Sequence, residues 1–188
     1  LKPATDRLPK PMVPVAGRPI LEHILAQLKS AGLTEIFINL HHRPESIRNH
    51  FGDGRSFGVR ITYSLEQKLL GTAGAVKKLE SEFREPFILY YGDNYVEINL
   101  RDFIRHHQAA AAAATIAIFS CAEPHMSGIV QVDDKLNILK FVEKPPKGSD
   151  AGNLANAGVY MLDPEILSLI PGDRPSDFGL EIFPEALK

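Results

Sequence analysis

The feature that most constrains this chain is a repeated exchange of two hydrophobic periods. Between residues 19 and 120, helical patterns of apolar residues alternate four times with short, continuous apolar runs. Leu21, Ile24, Leu25 and Leu28 recur at helical spacing between Pro19 and Gly32, so a helix is predicted there, followed by a buried strand over EIFINL, residues 35–40. The same logic predicts a helix over 44–51, a strand over 59–64, a helix over 74–79 and a strand over 86–91 (PFILYY). A longer helix over 100–113 places Leu100, Phe103, Ile104 and His107 on one face and ends in an alanine run; a strand over 114–120 follows it. Apolar runs alternating with amphipathic helices are how a parallel sheet covered on both faces reads. Beyond Cys121 the texture changes. Residues 129–132 and 137–142 flank Asp133-Asp134-Lys135-Leu136 as a hairpin, 157–162 reads as another strand, and 164–170 and 178–187 read as short helices. The expectation is an α/β fold, Rossmann-like, with a mixed, mostly parallel sheet flanked by helices and a small antiparallel insertion. In such sheets ligands gather beyond the carboxyl ends of the strands.

Composition excludes several classes of function. The 188 residues carry 21 Lys plus Arg against 23 Asp plus Glu, so there is no basic excess to serve as a nucleic-acid footprint. No apolar stretch approaches the length of a membrane span and no signal-peptide pattern opens the chain, so neither a membrane nor a secreted protein is expected and the cytoplasm is the expected compartment. The single cysteine, Cys121, makes no internal disulfide and lacks an evident partner base for nucleophilic catalysis. The adjacent pairs His41-His42 and His106-His107 lack the i, i+4 spacing of a helical metal site, and both read as structural or surface residues.

Several short segments are placed to carry chemistry. Tyr90-Tyr91-Gly92-Asp93-Asn94 runs an apolar strand into Gly-Asp-Asn, which sets Asp93 at the carboxyl end of the strand. A carboxylate there suits Mg²⁺, a hard cation that takes oxygen ligands and bridges to phosphates; a plain turn suits the same three residues. In Leu8-Pro9-Lys10-Pro11-Met12, two prolines stiffen the backbone around Lys10, presetting a point charge useful against phosphate; a solvated loop lysine is the alternative. Glu143-Lys144-Pro145-Pro146 repeats the arrangement at a strand end, where the carboxylate could accept sugar hydroxyls or the charges and prolines could simply guard a sheet edge. Leu70-Gly71-Thr72-Ala73-Gly74-Ala75 is a small-residue loop opening a helix, expected to present free N–H groups and to admit a ligand close to the backbone. It lacks both the P-loop and the dinucleotide-binding glycine patterns. Asn156-Ala157-Gly158 places an amide just ahead of a strand, where a turn residue is equally at home.

Taken in order, these segments resemble one family. Leu1-Lys2-Pro3-Ala4-Thr5, then Pro9-Lys10-Pro11-Met12 and Pro14-Val15, resemble the second half of the signature GxGTRLxPxTxxxPKPxxPV of the sugar-1-phosphate nucleotidylyltransferases. Gly71-Thr72-Ala73-Gly74, Gly92-Asp93-Asn94, Gly128, Glu143-Lys144-Pro145 and Asn156-Ala157-Gly158 follow in that family's order and spacing. Glucose-1-phosphate thymidylyltransferase and mannose-1-phosphate guanylyltransferase are among its members.

The resemblance implies the nucleotide-diphospho-sugar transferase fold, with an NTP and a sugar-1-phosphate as partners, Mg²⁺ as cofactor, and an NDP-sugar plus pyrophosphate as products. It implies that Lys10 meets the nucleotide phosphates and that Asp93 holds the metal. Glu66, Gly71 and Thr72 then border the nucleotide, while Gly128, Glu143, Lys144 and Asn156 line the sugar-phosphate pocket. It further implies one nucleotidyltransferase domain over 1–188, with a nucleotide-binding part over 1–121 and a sugar-phosphate-binding part over 122–188. The GxGTR half of the signature falls before Leu1, and the family's second metal-binding aspartate falls beyond Lys188. The expected picture is thus a domain truncated at both ends, whose activity belongs to a longer parent; the resemblance leaves the oligomeric state open, a homo-oligomer among the options, since relatives often assemble through segments beyond this chain's end. Asp150, Asp163 and Asp177 match no such motif and receive no role. Two other classes stay open: a non-catalytic relative that binds nucleotide or sugar phosphate for regulation, and a hydrolase with Asp93 as nucleophile. The hydrolase would want a second aspartate two residues on, where this chain has Tyr95.

Overall fold

A computed structural model describes residue 5 and residues 8–188. Most of the first signature segment, residues 1–4, therefore lies outside the described residues. The chain forms two compact units: residues 1–69 with 90–106, and residues 70–89 with 107–188.

The first unit opens with a 3-10 turn at Lys10–Met12 and a hairpin of two-residue strands, β1 (Pro14–Val15) and β2 (Arg18–Pro19). Ala16 and Gly17 between them both take positive φ, as a tight hairpin of matching twist requires. Helix α1 (Ile20–Ser30) buries Leu21, Ile24, Leu25 and Leu28, the stripe predicted from their spacing, together with Ile20. Strand β3 (Glu35–Leu40), helix α2 (Pro44–Phe51) and strand β4 (Arg60–Leu65) follow. β3 and β4 pair in parallel, with Glu35 opposite Arg60 and Leu40 opposite Leu65. Ile38 and Leu40 join Met12, Leu21, Leu25, Ile47, Phe51, Val59 and Ile61 in the core of this unit. β3 was expected to be fully buried, yet Glu35 and Asn39 are exposed. Side chains alternate between the faces of a strand: β3 buries the face of Ile38 and Leu40, and Glu35 and Asn39 fall on the other.

The second unit holds helix α3 (Gly71–Lys77), most of strand β5 (Phe87–Tyr90), the last turn of helix α4 (Leu100–Ala110), strands β6 (Ala114–Ser120), β7 (Gly128–Val132), β8 (Ile138–Glu143) and β9 (Leu154–Leu162), and the short helix α5 (Phe183–Ala186). Its sheet runs β5-β9-β7-β8, with β6 also paired to β9. The β6·β9, β7·β8 and β7·β9 pairs are antiparallel. The expected fold class holds: the chain is mixed α/β, with sheets flanked by helices. Antiparallel pairing reaches further than the small insertion expected, because the long strand β9 carries it to both β6 and β7. β5 ends the sheet and is half-buried along its length. Beneath the sheet, Tyr160, Phe178 and Phe183 form an aromatic cluster with ring centroids 4.9 to 5.9 Å apart.

Several segments differ from the sequence pattern. α4 stops at Ala110, and Ala111 turns the chain at φ 47°, because β6 must start at Ala114. The segments at 164–170 and 178–187 are a 3-10 run, Pro164–Leu169, and a π-type turn, Phe178–Ile182, that leads into α5. α3 begins three residues early, at Gly71, because the Ser176 carbonyl accepts from Ala73 N–H (3.1 Å) and Gly74 N–H (3.3 Å). Among the described residues no helix is long and apolar enough to cross a membrane.

Candidate active site

In the first unit, the two residues expected to meet phosphate and metal come together. Pro9 enters the 3-10 turn with φ −64°, and Met12 N–H closes it on Pro9 C=O at 2.8 Å. Pro9 and Met12 are buried while Lys10 points outward. The stiff, anchored turn thus fixes where the lysine starts. Asp93 follows β5 by three residues, in a turn closed by Asn94 N–H on Tyr91 C=O at 3.0 Å. A Cβ on Gly92 would lie 3.7 Å from Pro11, so the two turns pack against each other. Lys10 Nζ stands 3.4 Å from Asp93 Oδ2, with the side chains 62% and 37% exposed. Both charges remain within reach of a ligand. The segment beyond them is pinned by Gln27, which donates to Val96 C=O (3.0 Å), and by Tyr90, whose hydroxyl accepts from Val96 N–H (3.0 Å). Burial pushes the Tyr90 phenol above its ordinary pKa, against a smaller opposing effect of the Val96 backbone.

The described residues contain no cluster of three or more metal-ligating side chains. Asp93 is a single hard oxygen donor, partly exposed and beside a cation. That donor set fits Mg²⁺ held jointly by one carboxylate and substrate phosphates, and does not fit an all-protein cage. Glu66, also in this unit, is buried; its backbone N–H donates to Leu40 C=O (2.8 Å) and its carbonyl is 3.0 Å from His41 Nδ1.

In the second unit, Gly128 faces Glu143 across the β7·β8 pair. A Cβ on Gly128 would come within 2.6 Å of Glu143 Oε2 and 2.8 Å of the Phe141 ring, so the glycine makes room for the carboxylate. Glu143 is pushed above the ordinary carboxyl pKa, first by burial; Lys144 opposes the shift and Asp177 adds to it. Lys144 adopts the left-handed conformation, φ 45°, and its N–H donates to Ser127 C=O at 3.1 Å. That backbone costs a non-glycine residue about 1–3 kcal/mol. It turns an exposed ammonium away from the strand line, with Nζ 4.0 Å from Glu143 Oε1.

Two expected features change on inspection. Asn156 lies inside β9, not ahead of it. Its Oδ1 accepts from Gly158 N–H (2.9 Å) and its Nδ2 donates to the Tyr160 hydroxyl (2.6 Å), at an irregularity where Gly158 takes φ 75° and the β6·β9 register shifts. The amide serves the backbone there, as a side chain at a bulge often does. The Gly71 loop, expected to offer free N–H groups, uses two of them on Ser176. A Cβ on Gly71 would sit 2.2 Å from the Ser176 carbonyl, so the close neighbour of this glycine is the chain itself.

Asp177 was passed over in the sequence and is central here. Its Oδ2 accepts the Thr72 hydroxyl at 2.7 Å, and its Oδ1 accepts from Gly179 N–H (2.9 Å) and Leu180 N–H (3.1 Å). The one sequence signal was Ser-Asp ahead of an apolar run, an ordinary helix-start pattern. Among the histidines, His107 proves buried, with Nδ1 2.9 Å from Thr115 Oγ1, which fits a structural role.

Comparison with known proteins shows what this chain is similar to. The Nucleotidyl transferase family profile matches residues 1–188. The UTP–glucose-1-phosphate uridylyltransferase of Synechocystis sp. is 33% identical, over 98% of this chain and 51% of that protein. The mannose-1-phosphate guanyltransferase of Pichia angusta is 36% identical, over 98% of this chain and 51% of its own length. Among solved structures, HddC from Yersinia pseudotuberculosis complexed with GMP-PN superposes with a TM-score of 0.81 at 25% identity, covering 98% of this chain and 80% of that one. The chain spans about half the length of the curated relatives it matches. The family profile covers every residue, including Lys10, Asp93 and the Glu143-Lys144 pair; this chain belongs to the Nucleotidyl transferase family.

Proposed function

We propose that the protein to which this chain belongs transfers a nucleotidyl group from an NTP to a sugar-1-phosphate, giving an NDP-sugar and pyrophosphate. The observation that carries this reading is the Lys10–Asp93 pair, 3.4 Å apart and open to ligand at the end of two stiff turns. A phosphate oxygen of the sugar-1-phosphate attacks the α-phosphorus in line, and the bond to the departing pyrophosphate oxygen breaks. The attacking oxygen is already ionised, so no general base is needed and catalysis reduces to positioning and charge stabilisation. Asp93 would hold Mg²⁺, which would supply charge neutralisation to the reacting phosphates. Lys10 leaves its contact with Asp93 to meet the phosphates as a point charge. Glu66, Gly71 and Thr72 border the nucleotide. Glu143 accepts sugar hydroxyls, Lys144 meets the sugar phosphate, the Gly128 backbone lines the sugar pocket, and Asn156 contributes its remaining amide hydrogen.

The test is pyrophosphate release by the full-length protein with Mg²⁺, across the common NTPs and a panel of hexose- and heptose-1-phosphates. Release with one pair supports the reading and names both substrates. Silence with every pair, while NTP still binds, replaces it with the non-catalytic binding relative.

A further inference from the structure

We propose that Asp177 is a positioning residue that ties the Gly71–Thr72 loop to the Glu143 carboxylate, so that each substrate's binding depends on residues of the other's side; the naming of a nucleotide side and a sugar side rests on the function proposed above. Residues 176–179 form a strap between two parts of the second unit. At one end the strap is bonded to the loop by five hydrogen bonds. Ser176 N–H donates to Leu70 C=O (2.9 Å), the Ser176 carbonyl accepts from Ala73 N–H and Gly74 N–H, the Thr72 hydroxyl donates to Asp177 Oδ2 (2.7 Å), and Phe178 N–H donates to Thr72 Oγ1 (3.0 Å). Thr72 and Asp177 are 105 residues apart in the chain. The fit is close enough that Gly71, at φ 77°, has no room for a Cβ.

At the other end the strap lies against Glu143. A Cβ on Gly179 would fall 3.0 Å from Glu143 Oε2, so the carboxylate rests over bare backbone there as it does over Gly128. Gly179 is held in that place by Asp177, whose Oδ1 accepts its N–H. One carboxylate therefore uses one oxygen for the loop and the other for the backbone beneath Glu143. Asparagine cannot reproduce the arrangement. With its oxygen kept on Gly179 and Leu180, it turns an N–H₂ donor toward Thr72, and the Thr72 hydroxyl loses the oxygen that accepts its own proton.

The experiment uses the full-length protein and its Thr72→Val, Thr72→Ser and Asp177→Asn variants. With the substrate pair found in the pyrophosphate-release screen, Thr72→Val is expected to raise KM for the sugar-1-phosphate about tenfold or more, although Thr72 belongs to the nucleotide side. Asp177→Asn is expected to raise KM for both substrates by a similar factor. Thr72→Ser restores the hydroxyl and recovers most of the loss seen in Thr72→Val. A Thr72→Val effect confined to the NTP, or the absence of any rescue by serine, overturns the proposal. Amide hydrogen exchange of the unliganded proteins provides a readout that does not need turnover. Faster exchange in 70–74 and 176–182 together, in both Thr72→Val and Asp177→Asn, sustains the tie; faster exchange in one segment alone overturns it. Should the wild-type protein release no pyrophosphate with any pair, the function reading fails and the coupling of substrates fails with it, while the exchange result still decides the tie between the two segments.

Discussion

Lys10 and Asp93 form the one contact on which the functional reading turns, and it is energetically slight. Both side chains are substantially exposed, and an exposed ion pair contributes about 0–1 kcal/mol to stability. Lys10→Ala and Asp93→Asn are therefore expected to leave the thermal midpoint almost unchanged while lowering pyrophosphate release by about 10²-fold or more. A variant that keeps full turnover contradicts the assignment. Glu143 behaves differently, since burial holds its carboxyl above the ordinary value. A carboxyl whose folded pKa lies above its unfolded one penalises the fold once pH exceeds both values, and the penalty vanishes below them. Glu143→Gln is thus expected to raise the thermal midpoint at neutral pH, and the gain should disappear as pH falls below the ordinary glutamate range. A midpoint at pH 7 equal to or below that of wild type counts against a desolvated carboxylate. The stability given up there is consistent with a residue kept for binding.

At the scale of elements, glycines decide where segments approach. Gly71 combines φ 77° with a Ser176 carbonyl 2.2 Å from any Cβ, whereas Gly172 has open space around it and an ordinary φ. Gly71→Ala is expected to cost about 2–4 kcal/mol through strain and clash. Gly172→Ala is expected to stay within about 0.5 kcal/mol; equal midpoints for the two variants would refute the close approach. Asn156 poses a similar question on β9. Removing its amide withdraws the acceptor from Gly158 N–H at the bulge, so Asn156→Ala should lower stability by about 1–3 kcal/mol, read by denaturant unfolding, whatever it does to sugar binding. The elements themselves were largely legible: α1, β3, α2 and β4 follow from apolar spacing and from Pro and Gly punctuation. The early start of α3 was not legible, because its first amides find their acceptor on Ser176, about a hundred residues away in the chain.

For the whole molecule, the donor inventory sets the expected response to metal removal. The described residues offer Asp93 and no cluster of metal-ligating side chains. Chelation with EDTA is therefore expected to abolish pyrophosphate release by the full-length protein, and added Mg²⁺ to restore it. The midpoint of the nucleotide-free protein should not move, because a metal held largely by substrate phosphates adds little to the unliganded fold. A large fall in that midpoint on chelation indicates a resident structural metal instead. The two compact units divide the candidate residues: Lys10, Glu66 and Asp93 belong to one, and Gly71, Thr72, Gly128, Glu143, Lys144 and Asn156 to the other.

The amino-acid sequence alone determined the α/β class, most element positions and the ordered motifs that mark the family, because hydrophobic period, turn chemistry and motif spacing are local properties. Tertiary structure decided how those motifs are used. It brought Lys10 to Asp93, spent the Gly71 loop amides on Ser176, committed Asn156 to a bulge, and made Asp177 a link between Thr72 and the backbone under Glu143. Each of the first, second and last joins residues distant in the chain. A hydrogen bond of that kind is fixed by packing in three dimensions, which no local pattern encodes.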